Sequence, residues 1–144
     1  REDPVSKRFH YLNHSVKRLV IKVELAELSI FLVHLSIKYR HRQYQLHDLH
    51  TLISDCSRPV VVAGDFNAVW GNRELQLFLA ATGLVSANTL GQFSWPSRMP
   101  RFQLDYIFHS PEIQTRDFHI PRIRLSDHTP LIWDFDADTI RPSA

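Results

Sequence analysis

The first sustained apolar pattern is Leu19-Val20-Ile21-Lys22-Val23-Glu24-Leu25, a run rich in β-branched residues that predicts a strand. Ala26-Glu27 makes a short turn, and Leu28 to Leu35 forms a second run, so the pair predicts a hairpin. Both runs are apolar at nearly every position, which predicts burial on both faces. From Arg40 to Asp55 the spacing becomes helical, with Leu46, Leu49 and Ile53 on one face and Leu52 beside it. Val60 to Ala63 is a short apolar strand closed by Gly64. Asn72 is the expected N-cap of a second helix, with Leu75, Phe78 and Leu79 as its buried stripe and Gly83 as its C-terminal cap. Gln92 to Ser97 reads as a loop or short strand. Phe102 to His109, Gln114 to Ile120 and Leu131 to Phe135 read as strands.

The order β-β-α-β-α-β-β-β predicts an α/β (α+β) fold, a mixed sheet covered by helices on one face. Residues 1–18 are expected to be an irregular lead-in, residues 19–136 the structured unit, and residues 137–144 a polar tail. A chain of 144 residues suits one domain with a real core. The formal net charge of +2 is too small to argue for nucleic acid by itself. Basic residues outnumber acidic ones up to Arg58, and acidic residues outnumber basic ones from Pro59 onward. The second part therefore gathers carboxylates, which fits a cation site better than a phosphate-binding surface. Cys56 is the only cysteine, so an internal disulfide and a cysteine-type zinc site are both excluded, and it is expected to fill a small core position. No apolar run is long enough to span a bilayer and no signal peptide is visible, so a cytoplasmic location is the default expectation.

Three segments carry chemistry. Gly64-Asp65-Phe66-Asn67 follows a buried strand directly and so reaches the rim of the sheet, where ligand sites gather in α/β folds. Asp65 can hold a cation or take a proton from water, and Asn67 places a neutral polar group to the same side; the same residues also favour plain turns. Asp105 lies in the apolar strand Leu104-Asp105-Tyr106-Ile107-Phe108, where an unpaired carboxylate is costly. Arg101 or Arg124 could pair with it structurally. Ser126-Asp127-His128-Thr129-Pro130 sets a carboxylate beside an imidazole on a loop that enters the last strand. His34 ends its strand and by itself reads as a packed histidine, while His41, His47 and His50 read as a solvated helix surface. Carboxylates crowded at one place repel unless a cation or proton is present, and oxygen-rich ligation suits Mg²⁺ or Mn²⁺.

Gly-Asp-Phe-Asn after a hydrophobic strand, then Leu-Asp-Tyr-Ile-Phe, then Ser-Asp-His-Thr-Pro-Leu, in that order, resembles the endonuclease/exonuclease/phosphatase (DNase-I-like) superfamily. Val33-His34-Leu35 matches its strand ending in His-Leu, and Phe93-Ser94-Trp95-Pro96 its aromatic-Trp-Pro segment. The match covers about Leu19 to Phe135 and corresponds to the C-terminal half of that domain, half of a four-layer α-β-β-α sandwich. The superfamily's first-strand Asn and its metal-binding Glu lie upstream of Leu19 and have no counterpart here, since Glu2 and Glu24 lack the expected context.

The resemblance implies hydrolysis of phosphoester bonds with Mg²⁺ or Mn²⁺. Asp65, Asn67, Asp105, His128 and His34 would be catalytic, and Asp65, Asn67, Asp127 and His128 would face the metal. Asp65 would orient or deprotonate the attacking water, Asn67 would hold it or a phosphate oxygen, and His128 would bind the phosphoryl group with Asp105 fixing its orientation. His34 would be a second phosphate contact. The chain alone is expected to be weakly active or inactive. Its expected partners are a phosphoester substrate, nucleic acid among the options, and either the N-terminal half of the domain or a second copy covering a bare sheet face. Two other readings are a non-catalytic interaction module of the same fold and a nucleic-acid-binding fragment using Arg98, Arg101, Phe93 and Trp95.

Overall fold

The computed structural model describes residues 3–12, 18–69 and 71–140. Among these residues eight strands and two helices follow one another: β1 (Ser6–Tyr11), β2 (Leu19–Glu24), β3 (Ser29–His34), α1 (Tyr39–Ser54), β4 (Val60–Asp65), α2 (Arg73–Thr82), β5 (Val85–Ser86), β6 (Asp105–His109), β7 (Thr115–His119) and β8 (Ile132–Phe135). A 3₁₀ turn, Ala137–Ile140, follows β8. Six strands form a mixed sheet in the order β1-β2-β3-β4-β6-β5, and β7 pairs with β8 in a separate two-stranded sheet. The parallel pair is β3–β4, whose connection runs through α1.

Side chains alternate across a strand, so each strand presents two different sets of residues. Phe31 and Val33 of β3, Val60 and Val62 of β4, and Tyr106 and Phe108 of β6 join the main core with Leu46, Leu49 and Ile53 of α1 and Leu75 and Phe78 of α2. Both helices therefore cover one face, as a mixed sheet with helices on one side requires. Residues offset by one fall on the other face. There Ile30, Val61 and Ile107 pack in a smaller cluster with Leu28, Ile113, Trp133 and Phe135. The β7–β8 pair thus covers one end of the face that the sequence suggests is bare. Beyond it, Leu32 and Phe9 stay exposed.

The expected lead-in is not irregular over its described part. β1 pairs antiparallel with β2 from Ser6↔Glu24 to Tyr11↔Leu19. Its residues are mostly exposed, with Lys7, Arg8, Phe9 and Tyr11 among them and His10 half-buried, so no apolar alternation marks it. Backbone pairing and the Ser6 Oγ hydrogen bond to Glu24 Oε2 (2.6 Å) hold it instead. Residues 1–2 and 13–17 of that lead-in, and 141–144 of the tail, lie outside the described residues. The described part of the tail is ordered as the 3₁₀ turn, and Ile140 packs on the second cluster. Phe102, expected to open a strand, instead forms an isolated bridge with Trp95. Asn72 precedes α2 without a side-chain capping bond, whereas Gly83 caps its end at φ 72° and donates its N–H to the Leu79 carbonyl. Cys56 is half-buried against the main core. Among the described residues no helix is long and apolar enough to cross a membrane.

Candidate active site

The register of the sheet builds the site. His34 pairs with Asp65, and Asp65 pairs with Asp105, so three polar side chains form one row across β3, β4 and β6. The row lies on the face opposite the helices, at the end of β3 and β4. Gly64 makes the close packing beneath it possible: its φ is 143°, and a Cβ there would overlap the Val33 carbonyl. The chain then turns at Asn67, whose φ of 51° is a left-handed conformation that Asn tolerates.

The Asp65 carboxylate organises this turn. Oδ1 accepts the Asn67 backbone N–H (2.8 Å) and Oδ2 accepts the Asn67 side-chain amide (3.1 Å). The same amide donates to the Leu35 carbonyl (3.0 Å), so both its hydrogens are engaged and its oxygen is the group left for a ligand. Asn67 therefore orients Asp65. His34 Nε2 lies 3.5 Å from Asp65 Oδ2, on a largely exposed ring. Burial raises the Asp65 pKa above the ordinary carboxylate value; the Asn67 N–H opposes the rise and the Asp105 charge adds to it.

Asp105 anchors the second half. Its Oδ2 meets His128 Nδ1 at 2.7 Å and accepts the Ser94 hydroxyl at 2.6 Å. The pairing with Arg101 or Arg124 does not form; the carboxylate's partner is His128. Burial works against an imidazolium at His128, but the hydrogen bond and charge of Asp105, with Asp65 and Asp127 behind them, outweigh it and raise the pKa. With Nδ1 committed to Asp105, Nε2 is the atom left to face a ligand. Asp127 is exposed, and the Ser126 hydroxyl (3.0 Å) holds its carboxyl below the usual range.

All six residues named from the sequence, His34, Asp65, Asn67, Asp105, Asp127 and His128, line one cleft of about 540 Å³, joined by Arg18 and Ile37. The pattern of the sequence missed two supports. Ser94, fully buried, bonds Asp105 through its hydroxyl and accepts the Thr129 N–H and hydroxyl at its carbonyl (2.9 Å each), fixing the loop that carries His128. Arg18 brings a guanidinium to the cleft, and its Nε has no hydrogen-bond partner among the described residues. Ser94 sat inside the aromatic-Trp-Pro match, but only three-dimensional contact reveals its task. Arg18 had no motif around it.

Other sequence candidates lie elsewhere. His41, His47 and His50 are on α1 and do not line the cleft. Glu24 is bound to Lys22 and Ser6. Of the expected nucleic-acid set, Trp95 tilts its ring toward Phe102 and His128, and Arg101 turns to the Met99 sulfur (3.7 Å). Among the described residues, no group of three or more His, Cys, Asp or Glu side chains gathers closely enough to hold a metal ion. Asp65 and Asp127 offer the oxygen donors that a hard cation takes, but these residues do not enclose one on their own.

The mixed sheet brings His34, Asp65 and Asp105 together at its strand ends, and the loop before β8 adds Asp127 and His128 to the same open cleft. The chain belongs to the Endonuclease/Exonuclease/phosphatase family, whose model matches residues 7–128. It is similar to a UPF0294 protein of Vibrio parahaemolyticus, 30% identical over 127 residues, 85% of this chain and 43% of that one. The human Nocturnin catalytic domain with bound sulfate anion superposes with a TM-score of 0.70 at 25% identity, covering 94% of this chain and 60% of that one. A 3′ phosphatase from Neisseria bound to a product DNA hairpin superposes at 0.75 with 18% identity, covering 94% and 72%. The chain spans between 34% and 43% of the length of the curated relatives it matches.

Proposed function

We propose that this chain carries the acid–base face of a phosphoesterase, which hydrolyses its substrate by direct attack of water. The observation that supports this most is the hydrogen bond between His128 and Asp105 at 2.7 Å, one strand away from Asp65 in the same cleft. Asp65 takes a proton from the attacking water as the new oxygen–phosphorus bond forms, a task favoured by its raised pKa. The bond from phosphorus to the ester oxygen breaks, and the leaving oxygen collects a proton from solvent. His128, held by Asp105, presents Nε2–H to the phosphoryl oxygens as charge develops there. Arg18 and His34 add positive or polar contacts to the same group. The family description and the sulfate in the Nocturnin structure are consistent with an anion at such a site.

A divalent cation, Mg²⁺ or Mn²⁺, would find in Asp65, Asn67 and Asp127 only part of its shell, since His128, with Nδ1 on Asp105 and Nε2 carrying a proton, has no lone pair for it. The remaining ligands would come from outside the described residues, and no step above runs through it. The test is turnover of phosphomonoesters and phosphodiesters by the full-length protein. Asp65→Asn and His128→Ala should each lower kcat by about 10²-fold or more with the fold intact by circular dichroism. Near-normal turnover in both variants would remove the proposal.

A further inference from the structure

A second groove, of about 560 Å³, lies on the other side of the loop that carries His128. Arg98 enters it from the loop after β5, and Arg122 and Arg124 enter it from the connection between β7 and β8. All three are exposed, no acidic side chain lines the groove, and none of the three forms an ion pair with a described residue. Phe93 and Met99, 51% and 57% exposed, add an aromatic face and a flexible apolar one.

The groove is joined to the cleft through a shared wall. The Ser97 backbone N–H donates to the Asp127 carbonyl (2.7 Å), and the Ser97 hydroxyl donates to the Ser126 carbonyl (2.6 Å). Thr129 lines the groove while its neighbour His128 lines the cleft. The strip from Asp127 to Thr129 therefore borders both.

We propose that this groove binds the phosphodiester backbone of a nucleic-acid strand whose reacting phosphate sits in the cleft, an inference that rests on the phosphoesterase reading above. A small phosphomonoester is already met inside the cleft by His128 and Arg18, so three further guanidiniums have no task toward it. Guanidinium forks match phosphate oxygens in two-point hydrogen bonds, and three of them suit successive phosphates. An exposed aromatic beside such a track stacks on any base, so the contact is tolerant of sequence. The sequence alone pointed to Arg98 and Phe93 but not to Arg122 and Arg124, which reach the groove only because the β7–β8 connection folds over it.

Fluorescence anisotropy of the full-length protein with a labelled single strand of about 12 nucleotides, without divalent cations, tests this directly. The variant Arg98→Ala, Arg122→Ala, Arg124→Ala should weaken binding at least about tenfold. It should also flatten the dependence of log affinity on log salt by roughly 2, since each single-strand phosphate contact contributes about 0.7. A control variant, Arg8→Ala, Arg40→Ala, Arg58→Ala, removes the same charge from surfaces outside the groove and should bind nearly as wild type. Absence of strand binding, equal weakening in the control, or equal affinity for pyrophosphate would overturn the proposal. Binding to anionic phospholipid vesicles with none to the strand would overturn it in favour of a membrane surface. His128→Ala separates the two readings: it should retain strand binding while losing turnover. A groove variant that loses the strand, in a protein that hydrolyses no phosphoester, would leave the groove standing and remove the phosphoesterase reading.

Discussion

The two faces of the six-stranded sheet come from the same strands and serve opposite ends. On the helical side Phe31, Val62, Phe66 and Phe108 are buried to 1% exposure or less, and Phe66 meets Phe108 edge-on at 5.0 Å. On the other side the residues one step away, Leu32, Ala63 and Ile107, lead directly to His34, Asp65 and Asp105. Because side chains alternate with a period of two, a one-residue slip of β4 would carry Asp65 into the aromatic core and Phe66 into the cleft. The apolar face fixes the register, and the register fixes the polar row. The polar row is positioned by packing on the opposite face.

The largest effect that would break this arrangement is expected at Gly64→Ala. The new Cβ would overlap the Val33 carbonyl, a backbone group that cannot turn away, and φ of 143° would strain any L side chain. A loss above about 4 kcal/mol, or no cooperative unfolding at all in a urea titration, is expected. A variant as stable as wild type would mean that β3 and β4 do not pair in this register. Next comes Phe108→Ala, which empties a fully buried site among Phe66, Phe78 and Tyr106 and should cost about 3–5 kcal/mol by the same measurement.

The same asymmetry explains what could be read from the chain before folding. Helical spacing located α1 and α2 to within a residue because their stripes face one dense core. The cleft residues were legible because they sit beside apolar strands whose ends had to meet at one rim. β1 was not, since an edge strand with Lys7, Arg8, Phe9 and Tyr11 exposed is held by backbone pairing that leaves no pattern. β5, two residues long, leaves none either. Ser94 and Arg18 were missed for a different reason: one hydroxyl and one guanidinium become informative only when distant segments converge on them. Arg122 and Arg124 belong with them.

A smaller effect separates the polar end from the rest. The His128 pKa is raised above 6.5 by its Asp105 partner against the opposing pull of burial. A folded-state value above the unfolded one means that the stabilisation from this pair is fully present below about pH 6.5 and is lost as pH rises through the folded value. The raised Asp65 pKa has the same sign in a lower window, from about 3.8 upward. An NMR titration of the His128 ring should show a midpoint above 6.5, and Asp105→Asn should lower it. An unchanged midpoint in that variant would mean that Asp105 does not set the charge of the imidazole.

The smallest effect is the sharpest test of the two faces, because it uses one strand and one new residue. Val33 and Leu32 are neighbours in β3, but Val33 is 6% exposed and faces the helices, while Leu32 is 44% exposed on the other side. Val33→Thr keeps shape and β-branching and places a hydroxyl in an apolar cluster, which should cost about 1–3 kcal/mol. Leu32→Thr also keeps strand propensity, but its hydroxyl reaches water, and its loss should stay below about 1 kcal/mol. The pair is measured by urea denaturation at one pH, and Thr is a good strand former at either position, so the environment of the face is the main difference. Equal losses at the two positions would mean that Leu32 is covered in solution, and the division of the sheet into a packed face and an open one would fail.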